Sequence, residues 1–198
     1  TLKLIEDSGL GTLFEDCTFD KYETSEDWQV NILEKAKQFV DEKNKWFYIQ
    51  GNSGCGKTMI CTAIVKELIL KGKQARYMMW LNEAGELKQL KANNPQEYQS
   101  LVRELKNTEV LYIDDFLKVG KNETPTTADI NLAFEILNYR YVNKLTTLLS
   151  SERTIGEVIS LDEAVGSRIV ELTNPDYYLV VSKDIKKTKK QIKKAEDD

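Results

Sequence analysis

Short apolar runs alternate with longer segments of helical periodicity along most of this chain. The clearest run, Trp46-Phe47-Tyr48-Ile49, leads up to Gly51, which is typical of a buried strand that ends in a turn. The same pattern predicts strands at 75–80, 110–113, 146–150 and 177–181. Strands that alternate with helices predict an α/β fold, in which helices cover both faces of a parallel sheet.

Helices are predicted where apolar residues recur three or four positions apart. The first covers 26–42, with Ser25 as a candidate N-cap. Residues 1–24 are predicted to be mostly irregular. We expect one domain over 1–182, because no linker-like stretch or internal repeat interrupts it. The other predicted helices cover 57–71, 83–92, 96–106, 127–143 and about 162–171.

The composition fits one globular domain and excludes several classes of protein. The chain has 198 residues, 41% hydrophobic and 30% charged. No apolar run approaches the roughly 18 residues of a membrane span, so no membrane contact is expected. Three cysteines, Cys17, Cys55 and Cys61, form no CxxC pair, which is typical of reduced thiols in a cytoplasmic protein. The chain has no histidine, which excludes Ser-His-Asp and Cys-His catalysis and the common zinc sites.

The charge is unevenly distributed. The net charge is −4, but residues 183–198 contain seven lysines and four acids, which is +3, so the remainder carries −7. We expect 183–198 to form a basic, flexible tail. Such a tail either contacts phosphates or an acidic partner, or is a solvated terminus with no ligand.

The strongest chemical signal is Gly51-Asn52-Ser53-Gly54-Cys55-Gly56-Lys57-Thr58, which lies between a predicted strand and a predicted helix. This G-x-x-x-x-G-K-T pattern is a P-loop, whose backbone N–H groups and helix N-terminus surround phosphates. Lys57 is expected to reach the phosphates of ATP or ADP, and Thr58 to coordinate Mg²⁺. Met59, which follows, belongs to the same predicted site. Cys55 is either an oxidation-sensitive thiol or a small residue that the loop tolerates.

A second signal is Val110-Leu111-Tyr112-Ile113, which is followed by Asp114 and Asp115. A buried strand that ends in two acids is typical of the Walker B strand of P-loop ATPases. Asp114 would hold the Mg²⁺ shell, and Asp115 would orient or deprotonate the attacking water. The alternative is a pair of solvated acids, but their position after a P-loop favours the ATPase interpretation.

Two weaker signals lie further along the chain. The fourth predicted strand ends in polar residues, of which Ser151 is the candidate γ-phosphate sensor and Glu152 the alternative. Arg168 is a candidate finger that acts on the ATP of a neighbouring protomer. An ion pair with Asp162 or Glu171 is the alternative for this arginine.

The region after the second strand carries an aromatic residue and several basic ones. Such a surface could bind single-stranded DNA through stacking and phosphate contacts. For Trp80 the core is the favoured location, and for the basic residues both possibilities stay open. The basic residues are Lys88, Lys91, Arg103 and Lys106.

The order of these motifs resembles the AAA+ ATPase domain of the DnaC/DnaI-type replicative helicase loaders, to which the IstB-like ATPases are near relatives. The matching segments are FEDCTFDKY at 14–22, GNSGCGKT at 51–58, VLYIDDF at 110–116, TTLLSSE at 146–152 and GSRI at 166–169. The P-loop is shared by many families, whereas the combination of the FxxxTFDxY pattern, YIDDF and the late GSRI is much more specific. The resemblance is compatible with an origin of this chain in a phage or a mobile element.

The resemblance implies a five-stranded parallel sheet in the order 5-1-4-3-2 without a substantial C-terminal lid. It also implies slow, Mg²⁺-dependent ATP hydrolysis, single-stranded DNA binding and action on a replicative helicase. Phe19 and Tyr22, in the N-terminal segment, would lie near the adenine. Arg168 would be the finger through which protomers associate.

Two departures from the family pattern are visible. Glu152 stands where the family often has asparagine, and the separate N-terminal domain that commonly contacts the helicase is not among these residues. Other functions stay open: a transposition ATPase of the IstB type, a small-molecule kinase, or an ATP-regulated DNA-binding protein with negligible turnover.

Overall fold

The computed structural model describes residues 2–121, 123–173 and 176–181. The strands are β1 (Trp46–Gln50), β2 (Ala75–Met79), β3 (Val110–Asp114), β4 (Thr146–Ser151) and β5 (Tyr178–Val180). They form one parallel sheet in the order β2-β3-β4-β1-β5. This is the predicted order read from the opposite edge, so the predicted fold is confirmed. The predicted basic tail at 183–198 lies outside the described residues.

Helices cover both faces of the sheet, as predicted. None of the helices in the described ranges has the length and apolar character needed to cross a membrane. A short 3₁₀ helix, Phe19–Lys21, precedes the third helix. The α-helices are α1 (Leu2–Ser8), α2 (Leu13–Asp16), α3 (Asp27–Phe39), α4 (Lys57–Leu70), α5 (Trp80–Asn93), α6 (Pro95–Asn107), α7 (Thr127–Val142), α8 (Ile155–Leu161) and α9 (Glu163–Thr173).

The N-terminal segment is more regular than the sequence pattern predicted. The expectation that residues 1–24 are mostly irregular is wrong, because α1, α2 and the 3₁₀ helix all lie within them. Leu10, Phe14 and Tyr22 are buried in the same core cluster as the α4 residue Ile60. Packing against the domain therefore stabilises helices that are too short to show a hydrophobic period of their own.

Two element boundaries and one whole helix also differ from the prediction. Glu26, not Ser25, is the N-cap of α3, and its backbone N–H donates to the Gln29 side-chain oxygen at 2.9 Å. Trp80 begins α5 instead of ending β2, and its buried ring meets Phe116 edge to face at 5.3 Å between centroids. The whole of α8 was missed, although its capping box, Thr154 with Glu157, is visible in the sequence.

Alternate residues of β1 face different helical layers. Phe47 and Ile49 belong to the cluster that includes α3 and α4, whereas Trp46 and Tyr48 belong to the cluster that includes α5 to α9. The sheet is therefore the middle of three layers, and strands buried on both faces have the near-continuous apolar runs seen in the sequence.

A buried arginine ties together the edge of the sheet where the strands begin. Arg140 of α7 is fully buried, and its guanidinium donates to Thr147 Oγ1 at 2.9 Å. The other acceptors are backbone carbonyl oxygens just before β3 and at the first residue of β4, those of Leu105, Lys106, Thr108, Glu109 and Thr146. The arginine therefore fixes the starts of these strands, whose opposite ends carry the candidate site.

Candidate nucleotide site

The P-loop joins the end of β1 to the start of α4, and its shape requires glycine at two positions. Gly51 has φ 153°, and a Cβ there would lie 2.8 Å from Val181 Cβ. Gly56, the N-cap of α4, has φ 90°, and a Cβ there would lie 3.3 Å from the Tyr22 ring. Both angles favour glycine. Residues 52–54 are exposed, so a ligand can reach the loop from solvent.

The Lys57 side chain folds back across the P-loop. Its Nζ donates to the backbone oxygens of Gly51 at 2.8 Å and Asn52 at 2.9 Å, and lies 3.7 Å from Cys55 Sγ. Only 6% of Lys57 is exposed. The ammonium is thus held inside the loop, where a phosphate oxygen would compete with the two carbonyls for the same N–H donors.

Thr58 and Asp114 bring the P-loop and the end of β3 together. The Thr58 hydroxyl lies 3.1 Å and 3.2 Å from the two Asp114 carboxylate oxygens. This contact joins residues 56 positions apart in sequence, and it is the arrangement that the P-loop and Walker B interpretations predicted. A hydroxyl and a carboxylate therefore face the same space beside the loop.

Three further hydroxyl groups orient the Asp114 carboxylate. Tyr112 donates to Oδ1 at 2.7 Å, Tyr77 donates to Oδ2 at 3.2 Å, and Ser150 of β4 donates to Oδ1. Burial, together with the negative charge nearby, raises the pKa of both tyrosines. The phenols therefore stay protonated and act as donors, so that the carboxylate is held in one orientation.

This donor set fits Mg²⁺. The ion prefers oxygen ligands and usually takes one or two from carboxylates, with the remainder from substrate phosphates and water. Thr58 and Asp114 can supply a hydroxyl and a carboxylate oxygen at one place. The described part of the chain has no cluster of three or more His, Cys, Asp or Glu that could enclose a metal by itself. The residues present therefore suit an ion that arrives with a nucleotide.

Asp115 follows β3 directly and has a different environment from Asp114. Its backbone is left-handed, with φ 53°, a conformation that aspartate tolerates better than most residues. Its N–H lies 3.1 Å from Asp114 Oδ1 and 3.2 Å from Ser150 Oγ. Its carboxylate accepts a hydrogen bond from Lys118 at 3.0 Å, and Lys118 also contacts Glu152 at 3.0 Å.

The two serines at the end of β4 make different contacts. Ser150 touches both candidate acids. Ser151 is fully buried, where it donates to the Phe116 carbonyl at 2.9 Å and accepts from the Arg153 N–H at 3.0 Å. The sensor role of Ser151 stays a prediction, and its contacts hold the chain after β3. Ser150 is the β4 residue that the structure places beside the acids.

Phe19 and Tyr22, which are predicted to lie near the adenine, belong to the same core cluster as Met59 and the P-loop residue Cys55. The Tyr22 hydroxyl is buried, and within the described ranges it has no hydrogen-bond partner. Burial raises its pKa. Because buried polar groups nearly always have a partner, this hydroxyl is available to a ligand beside the P-loop.

Gln50, the last residue of β1, connects the P-loop to the C-terminal part of the domain. Its side-chain oxygen accepts from the Ile155 N–H at 2.9 Å and from the Tyr178 hydroxyl at 2.7 Å. The residue before Gly51 is therefore bonded to the start of α8 and to β5.

Arg168 lies on α9 and packs against α7. Its guanidinium carbon is 5.1 Å from the Phe134 ring centroid and 5.3 Å from that of Tyr141. Its Nε donates to Asn138 Oδ1 at 3.1 Å. Its contacts are with rings and amides, and it forms no ion pair with Asp162 or Glu171, which are both in the described ranges. None of these contacts is with the P-loop.

The basic residues of α5 and α6 divide into paired and exposed ones. Lys88 forms an ion pair with Asp129, and both Lys91 and Lys106 with Glu135. Trp80 is buried, as favoured from the sequence, whereas Arg103 is exposed. These ion pairs join α5 and α6 to α7, so the lysines have structural partners within the domain.

The comparisons with known proteins agree with this geometry. The sequence profile of the Novel STAND NTPase 3 family matches residues 28–195. The uncharacterized protein YqaM of Bacillus subtilis is 30% identical over 92% of this chain and 60% of its own length. The phage-like element PBSX protein XkdC, also of B. subtilis, is 31% identical over 73% of this chain and 53% of its length. The replicative helicase loader DnaC of Escherichia coli K12 is 26% identical over 83% of this chain and 65% of its own length.

The chain spans less than two thirds of the length of these relatives. Among solved structures, a DnaC helicase loader matches with a TM-score of 0.72 at 22% identity, covering 85% of this chain and 98% of that one. The replication initiator DnaA bound to AMPPCP and single-stranded DNA matches with a TM-score of 0.63 at 17% identity, covering 84% and 50%. The fold and the predicted resemblance to DnaC-type AAA+ domains are thereby confirmed.

Proposed function

Because this chain belongs to the Novel STAND NTPase 3 family and has the DnaC-type AAA+ fold, we propose that it binds ATP with Mg²⁺ and hydrolyses it slowly to help load a replicative helicase onto single-stranded DNA. The observation that carries the ATPase part is the contact between Thr58 and Asp114 at 3.1 Å, with Asp115 next in the chain. Positioning and charge stabilisation are what phosphoryl transfer to water requires of a protein.

Each residue of the site has a defined task in this proposal. The Lys57 ammonium exchanges its backbone acceptors for phosphate oxygens, and the N–H groups of residues 51–58 surround the phosphates. Thr58 and Asp114 would hold Mg²⁺, which would neutralise charge on the phosphates when it is bound. The buried Tyr22 hydroxyl gains a partner from the nucleotide, and Phe19 and Met59 belong to the same core cluster as Tyr22.

Asp115 is the proposed base for the attacking water. Its carboxylate accepts a hydrogen bond from Lys118 through Oδ2 at 3.0 Å, and the same carboxylate would receive the proton of the attacking water. Ser150 bonds to the Asp115 N–H and to Asp114, and it therefore fixes the two acids relative to each other. Ser151, the last residue of the same strand, is the proposed sensor of the γ-phosphate, with Glu152, which follows the strand, as the alternative.

Association of protomers and binding to partners complete the proposal. Arg168 makes no contact with its own P-loop, and its stacked position on α7 presents a preformed cation to a second copy of the chain. Single-stranded DNA and a replicative helicase are the proposed partners, by analogy with the relative named as a replicative helicase loader. The relative from a phage-like element supports a phage or mobile-element origin. We expect the protein to act in the cytoplasm.

The first test is ATP hydrolysis with and without single-stranded DNA. Lys57→Ala and Asp115→Asn are expected to lower turnover by about 10²-fold or more, with Lys121→Ala, an exposed lysine, as the control. Arg168→Ala is expected to lower turnover only at protein concentrations where the wild type self-associates. Turnover that ignores DNA and is unaffected by Arg168→Ala would contradict the loader proposal and leave only a solitary ATPase.

Loading itself needs a separate measurement. The protein is added to a purified hexameric replicative helicase and a closed single-stranded circle with an annealed strand, and strand release is followed. ATP-dependent stimulation by the wild type, and none by Lys57→Ala, is the expected result. No stimulation with active ATPase would separate the two halves of the proposal.

A further inference from the structure

Lys118 connects the acidic residues that follow two neighbouring strands. Its ammonium lies 3.0 Å from Asp115 Oδ2 and 3.0 Å from Glu152 Oε1. The three side chains are each about one third exposed. Burial alone lowers the pKa of Lys118, but its hydrogen bonds to Glu152 and Asp115 outweigh this and raise the pKa above its ordinary value. The bridge therefore contains a full positive charge.

The backbone that carries Lys118 is strained and firmly held. Asp115 and Leu117 have φ angles of 53° and 58°, and a left-handed leucine is uncommon. The strand β4 holds this turn, since the Phe116 N–H donates to the Ser150 carbonyl at 2.8 Å and Arg153 Nε donates to the Leu117 carbonyl at 3.0 Å. Such strain persists only where the surroundings impose it, and it concentrates at functional sites.

We propose that Lys118 is a positioning residue that restrains Asp115 by tying its carboxylate to Glu152, which follows β4. This inference rests on the proposed role of Asp115 in ATP hydrolysis. An ammonium bonded to the carboxylate engages an oxygen that a general base would use to accept the proton of water. The contact therefore makes Asp115 a weaker base, so that opening it speeds turnover, and Glu152 keeps a partner for Lys118 when it opens.

Glu152 gives Lys118 a second acidic partner, which matters when Asp115 acts as the base. If Lys118 had Asp115 as its sole partner, release of the carboxylate would leave a half-buried ammonium unpaired. With Glu152 at the same distance, the charge stays paired, and the cost of opening is reduced. A change at the end of β4 is thereby transmitted to Asp115 without any direct contact between Glu152 and Asp115.

The contact can be tested without measuring turnover. Amine-reactive labelling followed by mass spectrometry compares Lys118 with the exposed Lys121 in the same molecule. We expect Lys118 to label several-fold more slowly than Lys121 in the nucleotide-free protein, and its labelling to accelerate in the Asp115→Asn, Glu152→Gln double variant. Equal labelling of the two lysines in the wild type would overturn the restraint.

Steady-state kinetics of ATP hydrolysis is the second test. Lys118→Met is expected to raise kcat about threefold or more with KM within about twofold, while Lys121→Met leaves both constants unchanged. Lys118→Arg, which keeps the charge, should give a smaller increase than Lys118→Met, and in the Asp115→Asn background Lys118→Met should have no effect. A fall in kcat in folded Lys118→Met would overturn this proposal alone, whereas a wild type without ATP hydrolysis would overturn the proposed function.

Discussion

The Tyr112 hydroxyl donates a 2.7 Å hydrogen bond to Asp114, two residues further along the same strand. Both residues are buried, and side chains two apart on a strand share a face. The acid that would hold Mg²⁺ is therefore oriented by its own strand, before any contact with Thr58 or Ser150 is considered.

Removing this hydroxyl gives the first prediction. Tyr112→Phe deletes one donor to a buried carboxylate and should lower the free energy of unfolding by about 1–3 kcal/mol, measured by urea denaturation. The matched control is Tyr141→Phe, whose hydroxyl bonds to the exposed Glu171 and whose loss should cost at most about 0.5 kcal/mol. Equal losses in the two variants would show that the Tyr112 bond does not orient a buried charge.

Arg140 gives the second prediction. A lysine at this position could not reach all the acceptors, because an ammonium has three donors whereas the guanidinium fork has five. Arg140→Lys should therefore leave buried carbonyls unsatisfied and lower the free energy of unfolding by about 3 kcal/mol or more, measured by urea denaturation. Arg103→Lys on the exposed face of α6 is the control, with a change within about 0.5 kcal/mol. A loss below about 1 kcal/mol for Arg140→Lys would contradict this role.

Alanine at two glycine positions should have different effects, a weaker nucleotide affinity at Gly56 and a more stable fold at Gly85. Gly56→Ala places a side chain at φ 90° and 3.3 Å from the Tyr22 ring, so binding of a fluorescent ATP analogue should weaken at least tenfold, or about 1.4 kcal/mol. Gly85→Ala lies within α5, where a Cβ would meet nothing within 4 Å, and it should stabilise the fold by about 0.5–1 kcal/mol. Unchanged nucleotide affinity in Gly56→Ala would argue against the loop geometry.

The environment of Asp129 predicts that the stability of the fold depends on pH. Burial alone raises its pKa, but hydrogen bonds from Lys88 and Thr126 outweigh burial and hold the pKa below its ordinary value. A carboxyl with a lowered folded-state pKa stabilises the protein above its unfolded-state pKa, and this contribution disappears as pH falls through the folded-state value. Wild type should therefore lose stability more steeply than Asp129→Asn below about pH 4, whereas the exposed Asp20→Asn should follow the wild type. Parallel curves for Asp129→Asn and wild type would contradict this assignment.

The sequence was sufficient for the sheet and for the main contacts of the P-loop. Apolar runs bounded by turns show where the strands lie but not their order in the sheet. The order was predicted from the resemblance to a known family. By contrast, the meeting of Thr58 and Asp114 follows from strand and motif alone, because the carboxyl ends of parallel strands share one edge of the sheet.

The residues that surround Asp114 were harder to predict. Tyr112 could have been found from strand alternation, since it shares a face with Asp114. Ser150 and Ser151 differ by one position, and a one-residue change of register exchanges the two faces of a strand. Lys118 had no signal, because its position depends on a left-handed turn that hydrogen bonds with Ser150 and Arg153 hold.

Gln50 has a mechanical consequence for the whole domain. Its single oxygen anchors both the helix pair that leads to Arg168 and the edge strand β5, while its own backbone continues into the loop that would receive the nucleotide. The P-loop and the helices that lead to Arg168 are therefore connected through the Gln50 side chain. In the proposed assembly, a nucleotide that shifts Gln50 would therefore also shift the helices that lead to Arg168, the proposed contact with a neighbouring protomer.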